Sequence, residues 1–248
     1  MSLTNKVVII TGASSGIGAA AAKMFSKEGA RVVMVGRNET KLSAVAKQCS
    51  SPLVVRADIA KDDDARRVIS ETIKKFGQID VLINNAGITV ENGGFLGDDM
   101  MQAYDAIMNI NLRAAVHMTT LAAPHLIKTK GNIINVSSIA AVTPPFGPGL
   151  TSYYISKAAL NHFTVCAAAE LGSHGIRVNT LSPGPVKTDF FDNAKSEINV
   201  ETLRPFTVLN RVSEPEEMAE VMLYLASDRA AGVTGSNYVN DNGMTIKK

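Results

Sequence analysis

Along the chain, short runs that are apolar at nearly every position alternate with longer stretches whose apolar residues recur every three or four. Residues 6–11 (KVVIIT), 31–36 (RVVMVG), 53–57 (LVVRA), 80–84 (DVLIN), 132–137 (NIINVS) and 177–181 (RVNTL) are of the first kind. Their length and β-branched content predict strands, and the lack of alternation predicts burial on both faces. A last short strand is expected around Tyr238 and Val239. The helical pattern occupies 16–28, 39–48, 62–76, 100–128, 152–172 and 215–227. Gly29, Gly77 and Gly131 each stand between a helix and the next strand. Glycine accepts the left-handed conformation that ends a helix, so each is expected to mark such a turn.

Strand–helix alternation with short connections implies right-handed crossovers and an α/β fold over 1–248. The expectation is one Rossmann-type domain, a doubly wound parallel sheet with helices on both faces. Two irregular stretches, 143–151 and 184–214, follow late strands, which places them at the carboxyl edge of the sheet, where ligands bind. The second reads as a substrate lid. The composition agrees with a single domain that buries a large core: 248 residues, 46% hydrophobic and 19% charged. The 25 basic and 23 acidic residues are interspersed, for a net charge of +2. No basic block is present to track a phosphate backbone, which argues against nucleic acid as a partner. Cys49 and Cys166 fit neither a metal spacing nor a disulfide framework and read as idle thiols in a reducing compartment. No apolar run has signal-peptide or membrane-spanning length, and the tail is not Ser-Lys-Leu, so a cytoplasmic location without a membrane span is expected.

The first strand runs into Thr11-Gly12-Ala13-Ser14-Ser15-Gly16-Ile17-Gly18 and then four alanines. Strand, glycine turn and helix start lie in the order a dinucleotide pyrophosphate requires. Gly12 can turn sharply, Gly16 lets the backbone approach the phosphates, and Gly18 lets helix pack on strand. A tight strand-to-helix turn also needs glycine without any ligand, so the motif by itself is weak. Gly12–Gly16 matches the G-x-S-x-G elbow of hydrolases as well, but only thirteen residues precede Ser14, too few for the strands that supply an oxyanion hole. A Walker A reading fails for want of the Gly-Lys-Ser/Thr. The second strand ends in Gly36, Arg37 and Asn38, with no carboxylate for ribose hydroxyls and a guanidinium placed to grip a phosphate. NADP(H) is therefore favoured over NAD(H).

Tyr153 and Lys157, in Tyr153-Tyr154-Ile155-Ser156-Lys157, are i and i+4 on one helix face. A free phenol titrates near pH ~10, and a neighbouring ammonium is expected to lower that value toward the range useful for proton transfer. The pair does not stand alone. TGASSGIG at 11–18, Asp58 after the third strand, Asn84-Asn85-Ala86-Gly87, Asn111, Ser138, the Tyr153/Lys157 pair and Pro183-Gly184 with Thr188 occur in order and in matching context. On these pieces the chain resembles the short-chain dehydrogenase/reductase family over essentially its whole length. The resemblance implies a catalytic set of Asn111, Ser138, Tyr153 and Lys157. Tyr153 would be the general acid or base, Lys157 would bind the nicotinamide ribose and tune Tyr153, and Ser138 would hydrogen-bond the substrate oxygen. Asn111 would brace a helix opening and position a water. It also implies dinucleotide contacts from Gly12, Ser14, Ser15, Gly16, Ile17, Gly18, Arg37, Asp58, Ile59, Asn85, Ala86, Gly87, Pro183, Gly184, Val186 and Thr188. Asp58 would meet the adenine amine, Asn85 would support the cofactor-side strand, and Thr188 would reach the carboxamide. Relatives pair their long helices into dimers or tetramers, so a homo-oligomer is expected by resemblance. Ser137, Tyr154 and Asn109 shadow Ser138, Tyr153 and Asn111 as less well placed alternatives.

The stretch 140–152 is about two residues longer than the family pattern, and Asp241-Asn242-Gly243 stands where the family has Asp-Gly-Gly, which could alter a subunit contact. Val186, Phe190, Phe191, Ile198, Val200, Leu203 and Phe206 would form the apolar inner face of the lid. They suggest a lipophilic ketone, steroid- or terpenoid-like, or a 3-oxoacyl thioester; ordinary hairpin packing explains them equally. An NAD-dependent dehydrogenase working oxidatively is the nearest alternative. A non-catalytic dinucleotide sensor or scaffold is the alternative of another class, and a damaged Tyr/Lys/Ser set would mark it.

Overall fold

Every apolar run predicted as a strand forms one. The computed structural model describes residues 3–90, 95, 99–147, 149–194 and 198–247. Within them lie β1 (Val7–Thr11), β2 (Arg31–Gly36), β3 (Leu53–Arg56), β4 (Val81–Asn84), β5 (Asn132–Val136), β6 (Arg177–Pro183) and β7 (Asn237–Asn240). They form one sheet in the order β3-β2-β1-β4-β5-β6-β7, parallel at every pairing. β1 and β4 are adjacent, so the chain winds outward in one direction to β3 and in the other to β7. The crevice at the carboxyl ends of β1 and β4 is the switch point.

The uninterrupted apolar runs are explained by a helical layer on each face. Val8 and Ile10 of β1 pack toward α1 (Gly16–Lys27), α2 (Glu39–Ala46) and α8 (Pro215–Ala226) through Ala21, Phe25, Leu42, Met218 and Met222. Val7 and Ile9 face α3 (Asp62–Phe76), α5 (Ala114–Thr129) and α6 (Thr151–Leu171) through Val68, Met118, Leu126 and Ala167. A polar residue at any of these strand positions would leave an unpartnered group on one side or the other.

Two expectations need correction. The helix predicted over 100–128 is three pieces: α4 (Met100–Met108), a π-turn over Asn109–Arg113, and α5. An i→i+5 turn inserts an extra residue into the helix, which apolar periodicity does not reveal, and such turns cluster at functional sites. The glycine rule also misreads Gly131. Gly29 and Gly77 do take positive φ, but before β5 the left-handed residue is Lys130, at φ 49°. Gly131 is required for space instead: a Cβ there would lie 2.3 Å from the Asp80 carbonyl oxygen.

Among the described residues of 184–214, the elements are the short α7 (Phe190–Asn193) and a 3-10 turn over Val200–Phe206. Residues 195–197 of the expected lid and Pro148 of the 143–151 stretch lie outside the described residues. Asn242 is left-handed at φ 54°. It accepts a hydrogen bond from Arg211 at 2.8 Å and donates one to Ser213 at 2.8 Å. The departure from Asp-Gly-Gly thus serves an internal brace for the end of the lid segment. Among the described residues no helix is long and apolar enough to cross a membrane.

Candidate active site

A cleft of ≈ 820 Å³ runs across the carboxyl ends of the central strands. That volume is in the range of small-molecule and cofactor sites. At its floor the chain leaves β1 through Gly12, at φ 68°, where a Cβ would meet Asn85 Nδ2 and Ala86 Cα at 2.9 Å. Asn85 Nδ2 donates to the Thr11 carbonyl at 2.9 Å, and Thr11 Oγ1 accepts from the Asn85 and Ala86 amides at 3.0 and 3.1 Å. The exits of β1 and β4 are thereby locked together. Gly18 does not line the cleft; a Cβ there would fall 2.3 Å from the Gly12 carbonyl oxygen, so its task is packing α1 beneath the turn. Gly16, at φ 51°, lies against Thr188 from across the cleft, with Cγ2 3.0 Å from its ideal Cβ position.

Ser15 is the N-cap residue of α1, yet its side chain makes no cap hydrogen bond, and no acidic residue occupies the first turn. The first amides of α1 are left for an external anion. Ser14, Ile17, Gly36, Arg37, Asp58 and Ile59 continue the wall toward β2 and β3. Arg37 is exposed and has no ion-pair partner among the described residues. Asp58 Oδ1 accepts from the Ala60 amide at 3.2 Å.

The other end of the cleft gathers Gly87, Ser138, Tyr153 and Lys157. Lys157 is buried and donates to the Val136 carbonyl at 2.9 Å, while its Nζ sits 5.6 Å from the centroid of the Tyr153 ring. Ser138 shares a hydrogen bond with the Tyr153 phenol and caps the turn at Ile139–Ala141 by accepting from the Ala140 amide at 3.1 Å. Ser137 is spent elsewhere, donating to the Lys157 carbonyl at 3.1 Å. Tyr154 is likewise occupied, its hydroxyl accepting from the Phe146 amide at 3.3 Å. Ser138 and Tyr153 face each other, while Ser137 and Tyr154 are engaged elsewhere.

Asn111 lies behind the cleft rather than in its wall. In the π-turn, its amide accepts from the Ile88 amide at 2.8 Å and donates to the Ile88 carbonyl at 2.9 Å. It also donates to Ser156 Oγ at 3.0 Å, and Ser156 donates to the Tyr153 carbonyl at 2.7 Å. Expected in the catalytic set as a brace, it joins the loop after β4 to the helix that carries Tyr153.

The expected effect of Lys157 on Tyr153 is not what the chain's own groups produce. Burial pushes the Tyr153 phenol up to about 12, with the Ser138 hydrogen bond only partly opposing it. Burial also pushes the Lys157 ammonium down to about 8. The physical reason is that both charged forms are desolvated, and Lys157 directs a proton at Val136 rather than at the phenol.

Pro183, Gly184, Val186 and Thr188 line the far side of the cleft, as expected. Of the apolar lid residues, Val186, Phe190, Phe191, Ile198 and Leu203 also line it. Phe190 packs on Tyr153 with ring centroids 5.6 Å apart. Val200 and Phe206 do not; Phe206 is exposed and meets Phe146 of the proline-rich loop at 6.3 Å between centroids. Among the cleft residues that were not foreseen are Lys41 and Asp189, which pair with each other at 2.6 Å. Their 148-residue separation leaves no local signal. Among the described residues, no cluster of three or more His, Cys, Asp or Glu could hold a metal ion.

The family model described as enoyl-(acyl carrier protein) reductase matches residues 12–245. A 3-oxoacyl-[acyl-carrier-protein] reductase of Thermotoga maritima is 36% identical over 99% of this chain and 100% of its own length. A meso-2,3-butanediol dehydrogenase of Serratia marcescens is 35% identical over 99% of this chain and 96% of its own. The crystal structure of 3-ketoacyl-(acyl-carrier-protein) reductase from Brucella melitensis, complexed with NADH, superposes with a TM-score of 0.90 at 32% identity, covering 99% of this chain and 100% of that one. The chain belongs to the short-chain dehydrogenase/reductase family of oxidoreductases.

Proposed function

We propose that this protein is an NADPH-dependent carbonyl reductase that converts a lipophilic ketone, of the 3-oxoacyl thioester or vicinal diketone kind, to the secondary alcohol. The observation that carries the reading is one continuous cleft with Arg37, which has no ion-pair partner among the described residues, at one end and the Ser138–Tyr153–Lys157 group at the other. The residues fit a dinucleotide: α1 offers uncapped amides, and Gly12 and Gly16 keep side chains out of its path. Arg37 would hold the adenosine phosphate, Asp58 and Ile59 the adenine, and Gly12, Ser14, Ser15, Gly16 and Ile17 the pyrophosphate. Asn85, Ala86, Gly87, Lys157, Pro183, Gly184, Val186 and Thr188 would frame the nicotinamide half. When bound, the nicotinamide supplies the hydride.

The side chains then handle one proton. Ser138 donates to the substrate oxygen, where negative charge develops. A phenol held near 12 stays protonated at neutral pH, so Tyr153 serves as the acid of the reductive direction. Its O–H bond breaks as the alcohol O–H forms, and the phenolate left behind takes a proton from solvent to restore the phenol. The nearby ammonium steadies that phenolate while Lys157 remains charged. Five apolar lid residues and Phe146 on the cleft wall support a lipophilic substrate. The exposed Val116, Ile127, Ile155 and Val165 on α5 and α6 support a homo-oligomer.

The test is NADPH oxidation against a carbonyl panel that includes a 3-oxoacyl thioester, a vicinal diketone and a simple sugar. Turnover of the first two above the sugar is expected; turnover of none of them counts against reductase chemistry. The same assay carries a pH signature. Because burial lowers Lys157 to about 8, its charge is present below that value and lost above it. Reduction is therefore expected to hold steady on the acidic side and to decline as pH rises through about 8. A rate that stays flat to pH ~10, the ordinary lysine range, would remove Lys157 charge from the mechanism.

A further inference from the structure

Asp189, on the segment between β6 and α7, reaches back across the cleft to the nucleotide end. Its Oδ1 accepts from Ser15 Oγ at 2.8 Å, and its Oδ2 pairs with Lys41 Nζ at 2.6 Å. A hydrogen bond from Asn193 adds to these. Ser15 opens α1, where the anion-binding amides are, and Lys41 lies in the first turn of α2, whose N-cap is Asn38, the neighbour of Arg37. A carboxylate is thus seated among the donors that the glycine turn and the end of β2 present to a phosphate. Burial would raise its pKa, but Lys41 and Ser15 outweigh that and hold it below the usual carboxylate range. It remains an anion at neutral pH.

We propose that Lys41 is a second cation for the adenosine 2′-phosphate and that Asp189 competes with that phosphate for it. This rests on the NADPH reading above and adds to it the group that limits discrimination between the two dinucleotides. The charges make the exchange reasonable. The Lys41 and Asp189 side chains are 46% and 28% exposed, and pairs this open to water are held weakly. A phosphate monoester brings close to two negative charges and three acceptor oxygens, against one charge on the carboxylate. Arg37 alone would then face the phosphate only until Lys41 turns from Asp189 to join it. Removing the Asp189 charge frees Lys41 in advance, which favours NADPH, whereas the change at Ser15 acts on the pyrophosphate of both dinucleotides, so NADH gains less.

The experiment is calorimetric titration of the full chain with NADPH and NADH, comparing the unmodified protein with Asp189→Asn, Lys41→Ala and the double variant. Asp189→Asn is expected to tighten NADPH about fivefold, the scale of an exposed ion pair. Lys41→Ala is expected to weaken it about tenfold, the scale of a charged hydrogen bond. NADH should move less than NADPH in either, and in the Lys41→Ala background Asp189→Asn should affect the two dinucleotides equally, because the carboxylate limits discrimination through that lysine. Thermal midpoints of all variants establish that the fold is kept. If Asp189→Asn changes NADPH and NADH equally, or changes neither, the competition is overturned while the NADPH reading stands. If the unmodified protein shows no preference for NADPH and Lys41→Ala does not alter its affinity, the reading and the inference fall together.

Discussion

Tyr153→Phe is expected to lower reductive turnover by about 10²–10⁴-fold, the contribution of a well-placed general acid, while leaving NADPH affinity little changed. Only the hydroxyl is deleted. The ring keeps its packing against Phe190 and its place 5.6 Å from Lys157 Nζ. What disappears is the phenolic proton, beside the Ser138 hydrogen bond, that burial keeps in place at neutral pH. Tyr154 cannot substitute, because its hydroxyl is engaged with the loop at Phe146. The measurement is kcat and KM for the best ketone together with a dinucleotide titration. A variant within threefold of the parent kcat would show that the proton comes from elsewhere.

Arg37→Ala is expected to weaken NADPH by roughly 10–100-fold, equivalent to about 1.5–3 kcal/mol for a hydrogen bond to a charged group. NADH should be almost unaffected. Arg37 lines the cleft but has no ion-pair partner among the described residues, so the substitution disturbs little else. Equal losses for both dinucleotides would mean that Arg37 supports the pocket without recognising a phosphate. The Brucella melitensis relative was crystallised with NADH, so the comparison has to be made on both forms.

The parts of this molecule that could be read from its sequence are those set by local physics. The strands were legible because residues such as Val8 and Ile9 are buried on opposite faces and so are both apolar. The Tyr153/Lys157 pairing follows from helical spacing, and the glycine turn from backbone sterics. Features set by distant parts were not legible. The π-turn at Asn111 depends on the Ile88 loop and on Ser156. Gly131 is forced by the Asp80 carbonyl rather than by its own dihedral preference. The Tyr153 phenol is raised by burial that no i, i+4 spacing reports, and the Asp189 contact with Ser15 spans 174 residues. Two apolar residues of the lid segment, Val200 and Phe206, do not line the cleft although Leu203 of the same turn does, and apolar identity alone does not separate them.

The account stands or falls on the cleft between α1 and the Tyr153 helix receiving a nicotinamide dinucleotide. Isothermal titration of the unmodified chain with NADPH and with NADH measures this directly. Saturable one-to-one binding, tighter for NADPH, is the predicted result. No heat of binding from either, in a protein whose thermal transition shows it to be folded, would contradict it.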